Sequence, residues 1–287
     1  MGVINVTPDS FSGDGVAASD DPVAAAVAQA RRFADEGADI LDVGGESTRP
    51  GAQPLDEHNE AQRVVPVVAA LAQALPMPIS VDSYRAPVVA AALDAGAHLV
   101  NDIWGLRAPG GGWNVALAEL VARRGVPIVL MHNRRAQAVD GHYPAVHYSD
   151  LLGEVIDWLA QSVAFAESHG IARQHLLIDP GIGFGKTPAQ NIELLRNLAV
   201  FQRLQLPVLL GTSRKSFIGI ALGGLPPAER DEGTAATTAL GIAAGADIVR
   251  VHNVRLNARV ARVTDAIVRA QKTPPLLSLA TGEGAGG

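Results

Sequence analysis

No cysteine occurs in the 287 residues. That excludes disulfide frameworks, thiolate metal sites and cysteine nucleophiles, and it suits the reducing cytoplasm where the chain is expected to work. Aromatic residues are scarce, at 4%, and charged residues make up only 18%. With 48% hydrophobic residues, however, the chain has ample material for a core and does not have the composition of a disordered protein. Lys and Arg number 23 against 29 Asp and Glu, and no dense basic block appears, so nucleic acid and anionic membrane are poor partners. No apolar run approaches the ~20 residues that span a bilayer. The first residues, MGVINVTPDSF, have neither the basic start nor the apolar stretch of a signal peptide. Met1-Gly2 lacks the Ser or Thr that myristoylation requires, because Val6 stands there.

What is present is alternation. EGADILDVGG (36–45), AGAHLVNDIWG (95–105) and AGADIVRVHN (244–253) share one form: a helix-like stretch closing on Gly37, Gly96 or Gly245, then a β-branched run. Glycine after a helix permits the left-handed cap. Near-continuous apolar runs are the mark of parallel strands buried on both faces. Eight such runs occur, at 3–6, 38–43, 78–81, 97–103, 127–131, 175–178, 207–210 and 246–251. Helix-length segments separate them. Asp21-Pro22 to Gly37 reads as a capped helix, and Thr187 with Gln190 forms a capping box opening a helix over 187–201. Residues 149–169 predict a long helix, and Pro66 predicts that the helix in 57–75 starts late or kinks. Leu256, Val260, Val263 and Ile267 fall on one face of the last helix, as an apolar stripe should. Eight alternating units in this length predict a single-domain α/β fold, a (β/α)8 TIM barrel over 1–271, with a doubly wound sheet as the rival. The tail 272–287 is expected to be disordered, and 132–148 is a long insertion at the functional end.

In such a barrel the active site lies at the carboxyl ends of the strands. Those ends carry Asn5, GGESTRPG (44–51), Asp82, Asn101-Asp102, Met131-His132, Asp179, SRKS (213–216), and Arg250 with His252. Polar residues at strand ends are individually unremarkable; eight together supply carboxylates, amides and cations at one mouth. Arg250 and His252, two apart, share a side of strand eight, and Arg49 and Lys215 add cations. Cations gathered in an acidic protein predict an anionic ligand group. Asp82, Asn101 and Asp179 offer acceptors for a flat heterocycle bearing an amino group and ring N–H. Lys215 is also weighed as a Schiff-base lysine, which would make the chain an aldolase.

The stretch LLIDPGIGFGKT (176–187) ends like a nucleotide-binding loop but is not one. The phosphate loop needs G-x-x-x-x-G-K-[ST], and Pro180 stands where the first glycine belongs. Proline has no N–H to offer a phosphate.

Taken in order, MGVINVTPDSFSGDG, DVGGESTRPG, SVDS, NDIWG, LMHN, LIDPGIGFGK, GTSRKSFIG and DIVRVHNV resemble the motifs of the dihydropteroate synthase family, from residue 1 to about 253. That resemblance implies a pterin-binding barrel that joins (7,8-dihydropterin-6-yl)methyl diphosphate to p-aminobenzoate, releasing pyrophosphate. It implies a catalytic set of Lys215, Asp179 and Asp82. The pterin would meet Asp82, Asn101, Ile103, Met131, Asp179, Lys215 and Arg250. The diphosphate would meet Asn5, Thr48, Arg49, Arg250 and His252, with Mg2+ held on Asn5. The p-aminobenzoate would meet Phe11, Thr48, Pro50, Phe184 and Ser216. Sulfonamides would compete there, and the chain would be a homodimer. Two departures accompany the resemblance. Loop one reads Ser12-Gly13-Asp14-Gly15 where the family has SDGG, so Asp14 receives no role. Met1 coincides with an internal methionine of the family, whose preceding hairpin covers the barrel floor, and an uncovered floor is expected to cost stability. A pterin-dependent methyltransferase and a non-catalytic pterin-binding relative are the alternatives.

Overall fold

The structure is a computed structural model that describes residues 1–7, 19–47, 55–135 and 146–269. Eight strands and the helices between them alternate along the chain. They are β1 (Gly2–Asn5), α1 (Pro22–Glu36), β2 (Leu41–Gly44), α2 (Glu57–Ala74), β3 (Ile79–Asp82), α3 (Ala86–Asp94) and β4 (Leu99–Asp102). Then follow α4 (Val115–Arg124), β5 (Ile128–Met131), α5 (Leu151–Ser168), β6 (Leu176–Asp179), α6 (Pro188–Arg196), β7 (Leu209–Leu210), α7 (Ser216–Ala221), α8 (Asp231–Ala243), β8 (Ile248–Val249) and α9 (Val254–Val268).

Strands β1 to β6 pair in parallel and in order, and β7 pairs with β8. Two isolated parallel bridges, Ile178 to Val208 and Gly2 to Val251, join these two sheets at both seams. The seam at β1 is hydrogen-bonded in both directions, Val3 N–H to Val251 O at 3.1 Å and Val251 N–H to Met1 O at 3.0 Å. The ring is therefore closed, and the doubly wound alternative is excluded. All eight apolar runs carry a strand, though the seventh and eighth form only two ladder residues each before the chain diverges.

Strand alternation sorts the residues into two layers. One set, including Ile4, Leu41, Val43, Ile79, Val81, Val100, Ile128, Leu130, Leu176 and Ile178, packs against the helices in the main core. The other forms a smaller core inside the barrel, where Met1, Leu99, Val129 and Leu209 meet, with Ile40, Leu177 and Ile248 beside them. This apolar plug fills the lower half of the barrel. The next inward position on each strand, one step nearer the carboxyl end, is where polarity begins.

The capping signals hold. Asp21 accepts from Ala24 N–H, Gly37 adopts the left-handed conformation at φ 94°, and Thr187 and Gln190 complete a capping box. Three expectations change. Helix α2 does not start late: it begins at Glu57 and continues through Pro66, with Val64, Val67, Val68 and Leu71 buried along it, packing that offsets the lost backbone bond. Helix α6 stops at Arg196, with a 3-10 turn over 198–204 taking up the rest of the predicted helix. Helix α9 is rotated relative to its stripe, leaving Leu256 and Val260 half-buried and the later stripe residues outside. It buries Val254, Asn257 and Thr264, and Asn257 is held by Thr238 of α8 at 2.7 Å. Val263 and Ile267 stand 62% and 74% exposed. The predicted tail and most of the insertion after β5 lie outside the described residues.

Candidate active site

The inward, carboxyl-end positions are Asn5 on β1, Asp42 on β2, Asp82 on β3, Asn101 on β4, Met131 on β5, Asp179 on β6, Gly211 after β7 and Arg250 after β8. The register puts them beside one another around the ring: Gly44 faces Asp82, Asp82 faces Asn101, and Met131 faces Asp179. The mouth thus holds a crown of polar side chains standing on an apolar plug.

Arg250 crosses the mouth. Its Nε donates to Asp42 Oδ2 at 2.5 Å and its Nη2 to Asp82 Oδ2 at 2.7 Å. Asn101 Nδ2 donates to the same Asp42 oxygen at 3.3 Å. Burial pushes the Asp82 carboxyl up to about 7 against the opposing pull of Arg250. Asp42 is fully buried, and its Oδ1 has no hydrogen-bond partner.

On the far side, Asp179 is buried, and its Oδ1 accepts from Gly181 N–H at 2.7 Å. Its other oxygen faces Lys215. A Cβ added to Gly211 would lie 3.8 Å from Asp179 Oδ2 and 3.9 Å from the Lys215 ammonium, so glycine leaves the space between them open. Burial lowers the Lys215 amine to about 8, with Asp179 opposing that fall. Burial likewise raises Asp179, with Lys215 pulling it back. Lys215 also donates to Ile182 O and sits 4.8 Å above the centre of the Phe184 ring.

The glycine-rich turn is built for close approach. Gly181, Gly183 and Gly185 all have positive φ, at 69°, 84° and 72°. A Cβ on Gly181 would stand 1.9 Å from His132 O, which no side chain tolerates. Three N–H groups of this turn are already committed within the protein: that of Gly181 goes to Asp179, that of Gly183 to Asn191 at 2.7 Å and that of Phe184 to Gly181 O.

His252 lies on the neighbouring side, its Nδ1 2.8 Å from Ser213 Oγ, while the backbone N–H of His252 donates to that oxygen at 3.2 Å. Arg250 and His252 therefore diverge, one reaching over the mouth and the other toward the loop after β7. Arg214 pairs with Asp231 at 2.7 Å on that loop. Ser216 opens α7 directly after Lys215. Ile103 and Met131 are buried at the ends of β4 and β5. Asp102, adjacent to Asn101, points the other way and caps the following turn, accepting from Trp104 N–H at 2.8 Å and Leu106 N–H at 2.6 Å. Phe11, Asp14, Thr48, Arg49 and Pro50 lie outside the described residues.

Sequence reasoning missed three residues. Asp42 sits inside an apolar run, and a carboxylate in such a place must find a cation. Lys186 turns inward from the Gly-Lys-Thr triplet. Ser213, beside the basic pair, holds the histidine; no spacing rule marks it.

A sequence profile described as "Pterin binding enzyme" matches residues 1–252. The dihydropteroate synthase of Bacillus subtilis is 46% identical over 268 residues, covering 93% of this chain and 88% of that protein. A crystal structure of the Clostridium difficile dihydropteroate synthase in the presence of pteroic acid superposes with a TM-score of 0.84 at 43% identity, over 94% of this chain and 96% of that one. The Xanthomonas albilineans enzyme with 4-aminobenzoic acid superposes at 0.83 with 42% identity, over 96% and 93%.

Proposed function

The chain belongs to the dihydropteroate synthase family of pterin-binding enzymes, and on that premise we propose how the mouth of its barrel works. The reaction is the transfer of a dihydropterin methylene from diphosphate to the amine of p-aminobenzoate. The observation that carries the assignment of residues is convergence: Asp42, Asp82, Asn101, Asp179, Lys215 and Arg250 come from six different parts of the chain to one polar crown.

The pterin lies flat on the apolar plug, beside Ile103 and Met131. Asp179 takes the amino and N3 hydrogens on Oδ2, since Oδ1 is committed to Gly181. Lys215 donates to the ring carbonyl, and its lowered pKa keeps that proton readily shared. Asp82 and Asn101 meet the other edge, and Arg250 covers the ring face while held by two carboxylates. A ligand without these donors would leave buried carboxylates unpaired, so recognition is steep.

The diphosphate faces Asn5, Arg250 and His252, to which the family resemblance adds Thr48 and Arg49. Ser213 orients His252 by sharing a hydrogen with Nδ1, so the other ring nitrogen is the one presented. Asn5 would hold Mg2+ through its side-chain amide oxygen, a hard neutral donor of the kind that ion accepts. When bound, the ion neutralises charge on the departing diphosphate. The cations of the mouth do the same from the protein side, where charge grows as the C–O bond breaks. The p-aminobenzoate amine is neutral at pH 7 and attacks without a protein base; its nitrogen forms the new bond to the methylene as the C–O bond to diphosphate breaks, and the extra proton on nitrogen passes to solvent or the departing diphosphate. Phe184 and Ser216 supply the p-aminobenzoate half from the described residues, the family resemblance adds Phe11, Thr48 and Pro50 to it, and this same half is where a sulfonamide competes.

Purified protein given the pterin diphosphate and Mg2+ is expected to release pyrophosphate only when p-aminobenzoate is added, one per dihydropteroate formed. Release without p-aminobenzoate, or binding without release, would contradict the assignment.

No helix among the described residues is long and apolar enough to cross a membrane. The reading includes a cytoplasmic homodimer. Leu240 on α8 is 68% exposed, and Val263 and Ile267 on α9, the helix packed against it, are exposed too; such apolar surface suits a second copy. Sedimentation at twice the 29.8 kDa chain mass is the expected result; a single-chain mass at micromolar concentration would reject the pairing.

A further inference from the structure

The motif that first suggested a nucleotide site ends in a lysine that the reaction above does not use. Lys186 Nζ points away from solvent and contacts three acceptors: Gly181 O at 2.8 Å, Phe184 O at 3.1 Å and His132 Nδ1 at 2.8 Å. The first two are the ends of a tight turn, closed by Phe184 N–H to Gly181 O at 3.1 Å. One amine therefore grips both flanks of the turn that carries Phe184.

His132 is fully buried at the end of β5. Its backbone N–H donates to Asp179 O at 2.9 Å, and its ring is fixed edge-on against Trp158, 5.0 Å between centres. Among the described residues its Nε2 has no hydrogen-bond partner, and Nδ1 is the nitrogen that meets Lys186. Burial pulls both groups well below their ordinary values, each made worse by neighbouring cations, so neither is suited to carry charge for its own sake. What they do is hold backbone. Other polar groups of the turn are taken by other elements: Gly183 N–H by Asn191, Gly185 O by the Tyr148 hydroxyl at 2.9 Å, and Ile182 O by Lys215.

We propose that Lys186, backed by His132, is a positioning residue for p-aminobenzoate: it locks the Gly181–Gly185 turn in the shape that presents the Phe184 ring beneath Lys215. This rests on the reading that Phe184 forms the p-aminobenzoate half of the site. Without the latch, Phe184 loses its fixed place outright; of the pterin residues only Lys215, through Ile182 O, and Asp179, through Gly181 N–H, touch the turn, while Asp82, Asn101 and Arg250 do not. The damage should therefore fall on the second substrate more than on the pterin.

The test compares wild type with Lys186→Met, His132→Leu and His132→Asn, measuring KM for each substrate, kcat and the melting temperature. Lys186→Met keeps the length and removes the donor. Asparagine places a polar atom where His132 Nδ1 stood, and leucine fills the space without one. A misplacement of about 1 Å is enough for a roughly 100-fold effect. Lys186→Met and His132→Leu are expected to raise KM for p-aminobenzoate by about that factor. KM for the pterin diphosphate should move by less than about tenfold, and His132→Asn should recover most of the loss. A purely structural role lowers the amount of active enzyme, and hence apparent kcat, but leaves KM alone. Unmoved KM in either Lys186→Met or His132→Leu overturns the proposal. If Lys186→Met does not fold, the histidine pair decides, and equal behaviour of leucine and asparagine overturns it. A wild type that does not turn over p-aminobenzoate overturns the functional reading and the proposal with it; wild-type turnover with unmoved variant KM overturns the proposal alone.

Discussion

Asp179→Asn is expected to lower kcat/KM by on the order of 10^4-fold while leaving the barrel folded. The reason is directional. Asp179 Oδ1 is already committed to the Gly181 N–H at 2.7 Å, so an asparagine must place its single oxygen there. Its amide nitrogen is then turned to the ligand edge, where the pterin presents N–H groups of its own, and donor meets donor. The same change also takes the counter-charge from Lys215, whose amine burial has already lowered to about 8. Stability should change far less, because two effects oppose. Burial raises the Asp179 carboxyl, which means folding disfavours its ionised form, and a neutral isostere removes that penalty, while the buried Lys215 amine loses its counter-charge. The melting temperature should stay close to that of wild type. Steady-state kinetics and calorimetry on one preparation check both halves; activity within tenfold of wild type would reject the role given to Asp179.

Arg250→Met is the second large effect, and it appears first in stability. Arg250 neutralises Asp42 and Asp82 together, and Asp42 is fully buried with one oxygen lacking a partner even when Arg250 is present. Removing one member of such a cluster leaves buried charge uncompensated, at a cost of about 3–5 kcal/mol. The sign of the pH dependence follows from Asp82. Its folded pKa, about 7, lies above its unfolded value, so its ionisation on folding is disfavoured. Stability from this group is complete below the unfolded pKa and is lost as pH rises through the folded one. Without Arg250 the folded pKa climbs further. The variant should therefore be most deficient near pH 8 and recover part of the deficit near pH 5, where Asp82 binds a proton. Urea unfolding of both proteins at the two pH values measures this; a deficit that is absent, or that grows as pH falls, would show that Arg250 does not balance those carboxylates.

Much of the architecture was legible because it follows from local rules. Gly37 and Gly245 mark helix ends through positive φ, Thr187 and Gln190 cap by their own side chains, and buried parallel strands must be apolar. The site was legible for a related reason: Asn5, Asp82, Asn101 and Asp179 all sit where an apolar run stops, and such endings collect at one mouth. What was not legible depends on partners distant in sequence. Asp42 looks like an interruption of its strand until Arg250, 208 residues away, is brought to it. Lys186 reads as an exposed loop cation until β5 places His132 against it. Pro66 breaks a helix on local grounds, yet tertiary packing carries α2 through it. The stripe on α9 was read correctly as apolar and wrongly as inward, because Asn257 and Thr238 satisfy each other between the helices and leave Val263 and Ile267 outside. Periodicity identifies an apolar face but not the surface that covers it.

The account stands on one shared cavity with a pterin floor and a p-aminobenzoate wall. A crystal structure of this chain with dihydropteroate tests it most directly. The pterin amino group should lie within hydrogen-bond distance of Asp179 Oδ2, its carbonyl near Lys215 Nζ, and the benzoate ring against Phe184. A product bound away from the Asp179–Lys215 pair, or with its pterin edge turned to solvent, would contradict the account.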